Sequence, residues 1–300
     1  MDKLRNPSLT RLLLGIDKKH QEKTWQIILF GVVLGIIDVF AAIFVFTTSY
    51  YLIGGYFFSP YIRGFYCNDD SIKLPFRHHT VSTPHLLRVS IGGPIILVYF
   101  CEAFVFWVYP NVDSRLRKYF SSSTSNFLKY GFLVTLDLLL MEAMKCHFGR
   151  LRPHFLDVCK PDWDKVGMHC GLNSTSVEYV EEAHCTLTDR RARNGRLSFP
   201  SAHALSAACA LAFLFFYTRE VGRLLRCASR RVQFWFSAAR YGLLAAMSAW
   251  TAFVCVTRVT DHWHFPVDVL VGAAVGAGSV VVLYNGRTDG QAITSRMKGA

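Results

Sequence analysis

Six apolar runs, each near the length needed to cross a bilayer, constrain the fold of this 300-residue chain more than any other feature. They lie at Trp25–Phe46, Val89–Tyr109, Phe127–Met144, Ala202–Tyr217, Trp235–Val256 and Val267–Tyr284. A helical crossing takes roughly 17–25 predominantly apolar residues. With no water in the hydrocarbon to satisfy its backbone, such a run folds as a helix. The third and fourth runs are the weakest, diluted by polar or small residues, but the others need them for a consistent topology. The expectation is therefore an all-α polytopic membrane protein, a bundle of six transmembrane helices forming one domain over residues 1–300. Residues 1–24 form an N-terminal segment that carries charges and no signal-peptide core, and residues 285–300 form a polar tail.

The chain is 52% hydrophobic and has a formal charge of +12. Because the apolar residues are concentrated in runs, that charge reads as membrane topology, not as a nucleic-acid footprint. No zinc-finger spacing or RNA-binding signature argues otherwise, so no nucleic-acid partner is expected. With six spans, both termini share a side with the loops after the second and fourth spans. Those segments hold 19 of the 33 Lys and Arg, with Lys129 and Arg240 counted to them. On the opposite side, nine of the rest fall in one loop of about sixty residues, a length at which the charge rule loses force. Both termini are expected in the cytoplasm, with the odd-numbered loops facing outward or into a lumen. The sequon at Asn173 and four cysteines (Cys67, Cys159, Cys170, Cys185) fall in those outward loops, where glycosylation and disulfide pairing are permitted. The pairing stays open.

Other features admit plainer readings. Residues 219–240 form a cytoplasmic loop with six arginines, read as a positive-inside loop. The first outward loop, Thr47–Arg88, is expected to be ordered but irregular. Asp38, Glu102 and Asp137 lie inside spans and are read as pairing between helices, without a catalytic role.

Three clusters carry chemistry: Lys145-Cys-His-Phe-Gly-Arg150-Leu-Arg152-Pro153, Phe199-Pro200-Ser201-Ala202-His203, and Thr257-Arg258 through His264 to Asp268. The topology brings all three to one membrane face. Lys145, Arg152 and Arg258 supply fixed positive charge for phosphate oxygens. Arg150 reads as a solvated neighbour. Ser201 is placed to cap a helix whose first N–H groups, those of Ala202 and His203 among them, are free to bind phosphate. Pro266 suits the first turn of the last span, with Asp268 stabilised there by the helix dipole. His264 and Asp268 are four apart, close enough for the carboxylate to hydrogen-bond one imidazole nitrogen and leave the other free to attack. Asp261 and His262 read as solvated loop residues without an orienting partner.

The combination of Lys, six residues, Arg-Pro, then Pro-Ser-x-His, then Arg, five residues, His, three residues, Asp resembles the type 2 phosphatidic acid phosphatase superfamily. Within it, the six-span layout and the Cys67-to-Ile72 stretch are similar to the animal lipid phosphate phosphatases, the Wunen-type proteins of insects included. The resemblance covers roughly Trp25 to Tyr284. It implies a phosphatase of the plasma membrane that hydrolyses lipid phosphates in the bilayer, such as lysophosphatidate, phosphatidate, sphingosine-1-phosphate and ceramide-1-phosphate. His264 would be the nucleophile, Asp268 its orienting group, and His203 the acid and then the base. Lys145, Arg152, Ser201, Ala202 and Arg258 would hold the phosphate. No metal and no cofactor are implied, and self-association is left open.

Two positions depart from the family. Thr257 stands where serine is usual, and Ala202 where glycine is usual. Alanine is harmless at Ala202 if the residue opens a helix, and costly if the site needs a positive φ there. A protein that binds or moves lipid phosphate without turnover is the rival expectation.

Overall fold

The computed structural model describes residues 18–54, 58–109, 115–166, 178–187 and 190–285. In chain order its elements are α1 (Lys18–Gly54), β1 (Phe65–Tyr66), α2 (Thr83–Leu87), α3 (Gly93–Val108), α4 (Arg115–Phe148), α5 (Phe155–Cys159), α6 (Trp163–Val166), β2 (Tyr179–Val180), α7 (Arg190–Asn194), α8 (Ala202–Leu224), α9 (Arg230–Thr260) and α10 (Pro266–Asn285). Among the described residues the protein is all-α apart from a two-residue antiparallel pairing, Phe65 opposite Val180, and an isolated bridge between Pro161 and Cys185.

Five of the expected spans sit on helices long and apolar enough to cross a membrane, over Trp25–Ile53, Thr83–Val108, Ala202–Cys227, Arg230–Thr260 and Pro266–Tyr284. The third expected span, Phe127–Met144, lies on α4, whose 34 residues reach about 50 Å at 1.5 Å per residue. Its composition is less apolar because it carries polar groups toward its neighbours. Thr124 donates to Asp38 of α1, Asn126 donates to Glu102 of α3, and Asp137 accepts from Ser279 of α10. Its apolar residues Phe132, Leu136, Leu139 and Leu140 point outward instead. The three intramembrane carboxylates thus do pair between helices, Asp38 and Glu102 also taking Tyr99 and Tyr217 hydroxyls.

One expectation fails. Residues 219–240 are not a loop: α8 runs on to Leu224, a 3₁₀ turn covers Leu225–Cys227, and α9 begins at Arg230. The arginines extend both helices past the apolar runs by more than a turn, which hydropathy alone does not show. The turn is closed by Ser229, which caps α9 through Val232 N.

Helix α8 is the buried centre, packed against α9, α10, α3 and α4. Its small face, with Ala204, Ala207, Ala208 and Ala210, lets neighbours come close. Helix α10 answers with Gly272 and Gly276, where an added Cβ would lie 2.3 Å from the carbonyl oxygens of Ser201 and Leu205 respectively. Small residues four apart are a usual device for close helix contact in lipid, where packing drives association.

A second layer covers the end where α4 and α9 finish and α8 and α10 begin. It has its own core of Phe65, Ile72, Leu151, Phe155, Val180 and Ala183. Cys159 and Cys185 form a disulfide there, and Cys67 is disulfide-bonded as well. In its described residues the first outward loop is largely irregular and ordered, as expected, although α1 extends into it as far as Gly54 and α2 and a π-helical turn over Arg88–Gly92 close its far end. Asn173, Cys170, the first 17 residues and the tail from 286 lie outside the described residues.

Candidate active site

Each of the three clusters sits at a helix end, and each end is built by local sequence. Helix α4 stops at Gly149, whose φ of 54° is left-handed. Its N–H returns to the Lys145 carbonyl at 3.0 Å, an αL cap. A Cβ there would also meet the Tyr61 carbonyl at 2.2 Å, so glycine is required twice over. This places Lys145 in the last turn of α4, and Arg258 occupies the last turn of α9. Helix C-termini favour cations. Helix α8 opens at Ser201, which has extended backbone and caps Ala204 N at 3.4 Å. Helix α10 opens at Pro266 with Asp268 in its first turn. The two starts are tied together, Ser201 N donating to the Asp268 carbonyl at 2.9 Å.

These ends surround one cavity of about 50 Å³, lined by His79, Lys145, Arg152, Asn194, His203, Arg258, Trp263 and His264, with Ile53, Thr83 and Ala202 completing the wall. On the measure by which one water needs roughly 10–15 Å³, that is room for a few polar atoms, a phosphate and not an acyl chain. The cations are deeply buried, with exposures of 2% for Lys145, 5% for Arg152 and 0% for Arg258. Burying unpaired charge is expensive, so their partners matter. Lys145 reaches Glu142 only at 3.9 Å, and Arg258 pairs with Asp261 at 3.2 Å. Arg152 has neutral partners: Asn194 Oδ1 at 3.0 Å, the Leu197 carbonyl at 3.1 Å, and the face of Trp263. Burial and the nearby Arg258 push its pKa down to about 9. Arg152 Nε, Arg258 Nε and His203 Nε2 are all buried without a hydrogen-bond partner among the described residues. An anion in the cavity would answer all of these deficits together.

The histidine and aspartate geometry corrects one expectation. His264 Nδ1 lies 3.9 Å from Asp268, beyond hydrogen-bond reach. It donates instead to the Ser198 carbonyl at 2.5 Å. A carbonyl only accepts, so Nδ1 carries the proton and Nε2 keeps a free lone pair. The four-residue spacing of His264 and Asp268 misleads because Pro266 starts a new helix between them, and Asp268 turns back to cap it. Its carboxylate accepts from Phe265 N at 3.0 Å, Ser198 Oγ at 2.6 Å and Arg150 Nη1 at 2.6 Å. Asp268 therefore steadies Ser198, whose carbonyl holds the imidazole. Burial, then Arg152, Lys145 and Arg258, hold the His264 pKa well below the usual histidine range.

Three neighbours are also more engaged than expected. Arg150 is an ion-pair partner of Asp268 and lies over the Phe265 ring. Asp261 is buried and accepts from Thr80 N and Thr80 Oγ1, both at 2.8 Å, as well as from Arg258. His262 has a left-handed φ of 63°, its ring on the Pro75 carbonyl and its own carbonyl on His154. Their partners lie far away in the chain, which local spacing cannot disclose. Ala202 is the first residue of α8 and has no positive φ, so its methyl costs nothing in backbone conformation.

Sequence reasoning missed His79, Trp263, Asn194 and Ser198. Ser198 had a faint signal, one hydroxyl three residues before the Ser201 cap. Trp263 sits within the third cluster but carries no charge or titratable group to single it out. It forms the floor between Arg152 and the stacked His79 ring, 3.7 Å away.

Residues 126–291 match the family model of the PAP2 superfamily. Phospholipid phosphatase 2 of Bos taurus is 34% identical over 236 residues, 75% of this chain and 74% of that protein. Phospholipid phosphatase 1 of Rattus norvegicus is 31% identical over 232 residues, covering 75% of this chain and 76% of the relative. A Drosophila melanogaster relative named for phosphatidate phosphatase activity is 29% identical over 253 residues, 77% of this chain and 62% of its own. No solved structure is a significant match. With a family model that covers more than half of the chain, this membrane protein belongs to the PAP2 superfamily.

Proposed function

We propose that this PAP2 membrane enzyme hydrolyses phosphomonoesters of lipids through a phosphohistidine on His264. The observation that carries the reading is the small buried cavity where Arg152, Arg258 and His203 leave ring or guanidinium nitrogens without a partner beside a His264 with a free Nε2. Its chemistry fits a phosphate. Lys145, Arg152 and Arg258 hold the three non-bridging oxygens, together with the first N–H groups of α8. His264 Nε2 attacks phosphorus as the bond to the lipid oxygen breaks, and His203 gives that oxygen a proton. His203 then takes a proton from water, which displaces His264 and releases phosphate. The acyl chain stays in the bilayer, which agrees with a cavity sized for the headgroup phosphate alone. Lysophosphatidate, phosphatidate, sphingosine-1-phosphate and ceramide-1-phosphate share the phosphomonoester that this site takes.

In this reading α4 is also a crossing, which makes six with the other five, the site faces the extracellular or lumenal side, both termini are cytoplasmic, and the plasma membrane is the location. The three cations fill the charge-neutralising role that a metal ion has elsewhere. Purified protein is therefore expected to release phosphate from these lipids equally with and without chelator. His264→Ala should abolish release and His203→Ala should cut it by roughly 10²–10⁴-fold. A His264→Ala protein with full activity overturns the mechanism.

A further inference from the structure

We infer that His79 is a positioning residue for this hydrolysis, holding the Arg258 guanidinium over the cavity against the pull of Asp261. The inference rests on the proposed phosphatase reading of the same site. His79 lies outside residues 126–291, so nothing in the family match assigns it a part.

It belongs to an irregular strap laid across the end of the bundle. Leu74 N donates to the Pro153 carbonyl, Phe76 N to Asp157, and Arg77 Nη1 to the Thr260 carbonyl, while the Arg77 carbonyl accepts from Trp263 Nε1. The strap is thus fastened to the first and third clusters at once. Its residues His79 and Thr80 reach the site. His79 Nδ1 meets Arg258 Nη1 at 2.9 Å. Thr80 occupies both oxygens of Asp261.

Arginine has no acceptor, so His79 Nδ1 accepts and its proton is on Nε2. The ring is fixed in plane by Trp263 at 3.7 Å and by the near-parallel His203 ring at 5.9 Å. Asp261 is the competitor. A carboxylate draws an arginine into a two-pronged pairing, and Arg258 shows it only one prong. Thr80 saturates the carboxylate from one side while His79 takes the Nη1 group from the other. Without the His79 acceptor, the guanidinium is free to rotate onto Asp261 and away from the phosphate oxygens.

The test uses the full chain in detergent, comparing wild type, His79→Ala and His79→Asn. Asparagine keeps a side-chain carbonyl that can accept from Nη1, and alanine does not. A lost hydrogen bond to a charged group corresponds to roughly ten- to hundredfold. His79→Ala should raise KM and the inhibition constant of orthophosphate by that factor, with kcat changed far less, and His79→Asn should recover most of the loss. Unchanged KM and orthophosphate inhibition in His79→Ala overturn the inference. So does a fall confined to kcat, or equal damage in both variants. Orthophosphate binding to His264→Ala, with and without His79→Ala, reads the same effect without turnover. If wild type releases no phosphate while His79→Ala still weakens orthophosphate binding, the phosphatase reading fails and the Arg258 geometry stands.

Discussion

The position of Asp268 makes a claim that separates this site from a hydrogen-bonded triad. Where an aspartate holds the imidazole directly, the asparagine variant presents the wrong tautomer and loses about 10⁴-fold. Here the Nδ1 proton goes to the Ser198 backbone, and Asp268 acts through Ser198 Oγ. Asp268→Asn keeps an oxygen for some of its partners, so a smaller loss is expected, roughly ten- to hundredfold in kcat. Ser198→Ala should fall in the same range, and the double variant should lose little more than either single one, because both remove one connection. Additive losses would show that Asp268 reaches His264 by another route. Arg152 supports a pH prediction. In the proposed mechanism attack needs neutral His264, and the positive charge of Arg152 is among the groups that keep its pKa low. Removing that charge raises the pKa, so more of His264 is protonated and idle at mildly acidic pH. The acidic limb of kcat/KM should move to higher pH in Arg152→Gln, measured on one substrate so that substrate ionisation is common to both. The residue types were legible in sequence, since cations, histidines and a carboxylate at these spacings announce phosphate chemistry. The pairings of Arg150 with Asp268, Asp261 with Thr80 and His79 with Arg258 were not, because each joins segments more than a hundred residues apart.

At the scale of elements, the site depends on how closely α8 and α10 approach. Gly272 faces the Ser201 backbone, and a Cβ there would fall 2.3 Å from its carbonyl oxygen. That neighbour is main chain and cannot swing aside. Gly272→Ala is expected to push the two helix starts apart, breaking the bond from Ser201 N to Asp268 and costing about 1–3 kcal/mol as overpacking does. Gly278 lies six residues further along the same helix, with nothing within 4 Å of an added Cβ. Gly278→Ala should therefore keep its activity and its melting temperature, which Gly272→Ala should not. Equal tolerance of the two would show that the contact between α8 and α10 is not what sets the site. The existence of these helices was legible in their apolar runs. Their ends were less so, as α8 and α9 show by running through the arginine-rich stretch. Helix α4 was the hardest to read, because a helix that keeps its polar groups for its neighbours and its apolar groups for lipid dilutes its own hydropathy.

At the scale of the molecule, the open question is which way the bundle faces. The site and the Cys159–Cys185 disulfide lie at one end, where α8 begins. Cys227 lies at the other end, just after α8 finishes, and it is the exposed one among the free cysteines Cys101, Cys146, Cys209, Cys227 and Cys255. The rise of α8 and its 3₁₀ turn separates the two ends by about 40 Å, the thickness of a hydrocarbon core with its headgroups. Arg219, Arg226, Arg230 and Arg231 are exposed and flank Cys227 in the sequence. Arginines in a short connection favour the cytoplasmic side, and thiols there stay reduced, whereas a disulfide persists on the other side. The two chemical environments point the same way by independent reasoning. A membrane-impermeant maleimide applied to intact cells should therefore leave Cys227 unlabelled and should label it after permeabilisation, with Cys227→Ser removing that signal. Lipid phosphate supplied outside the same intact cells should be hydrolysed, because the cavity opens at the opposite end. Labelling of Cys227 before permeabilisation would turn the whole bundle over and put the phosphate site in the cytoplasm.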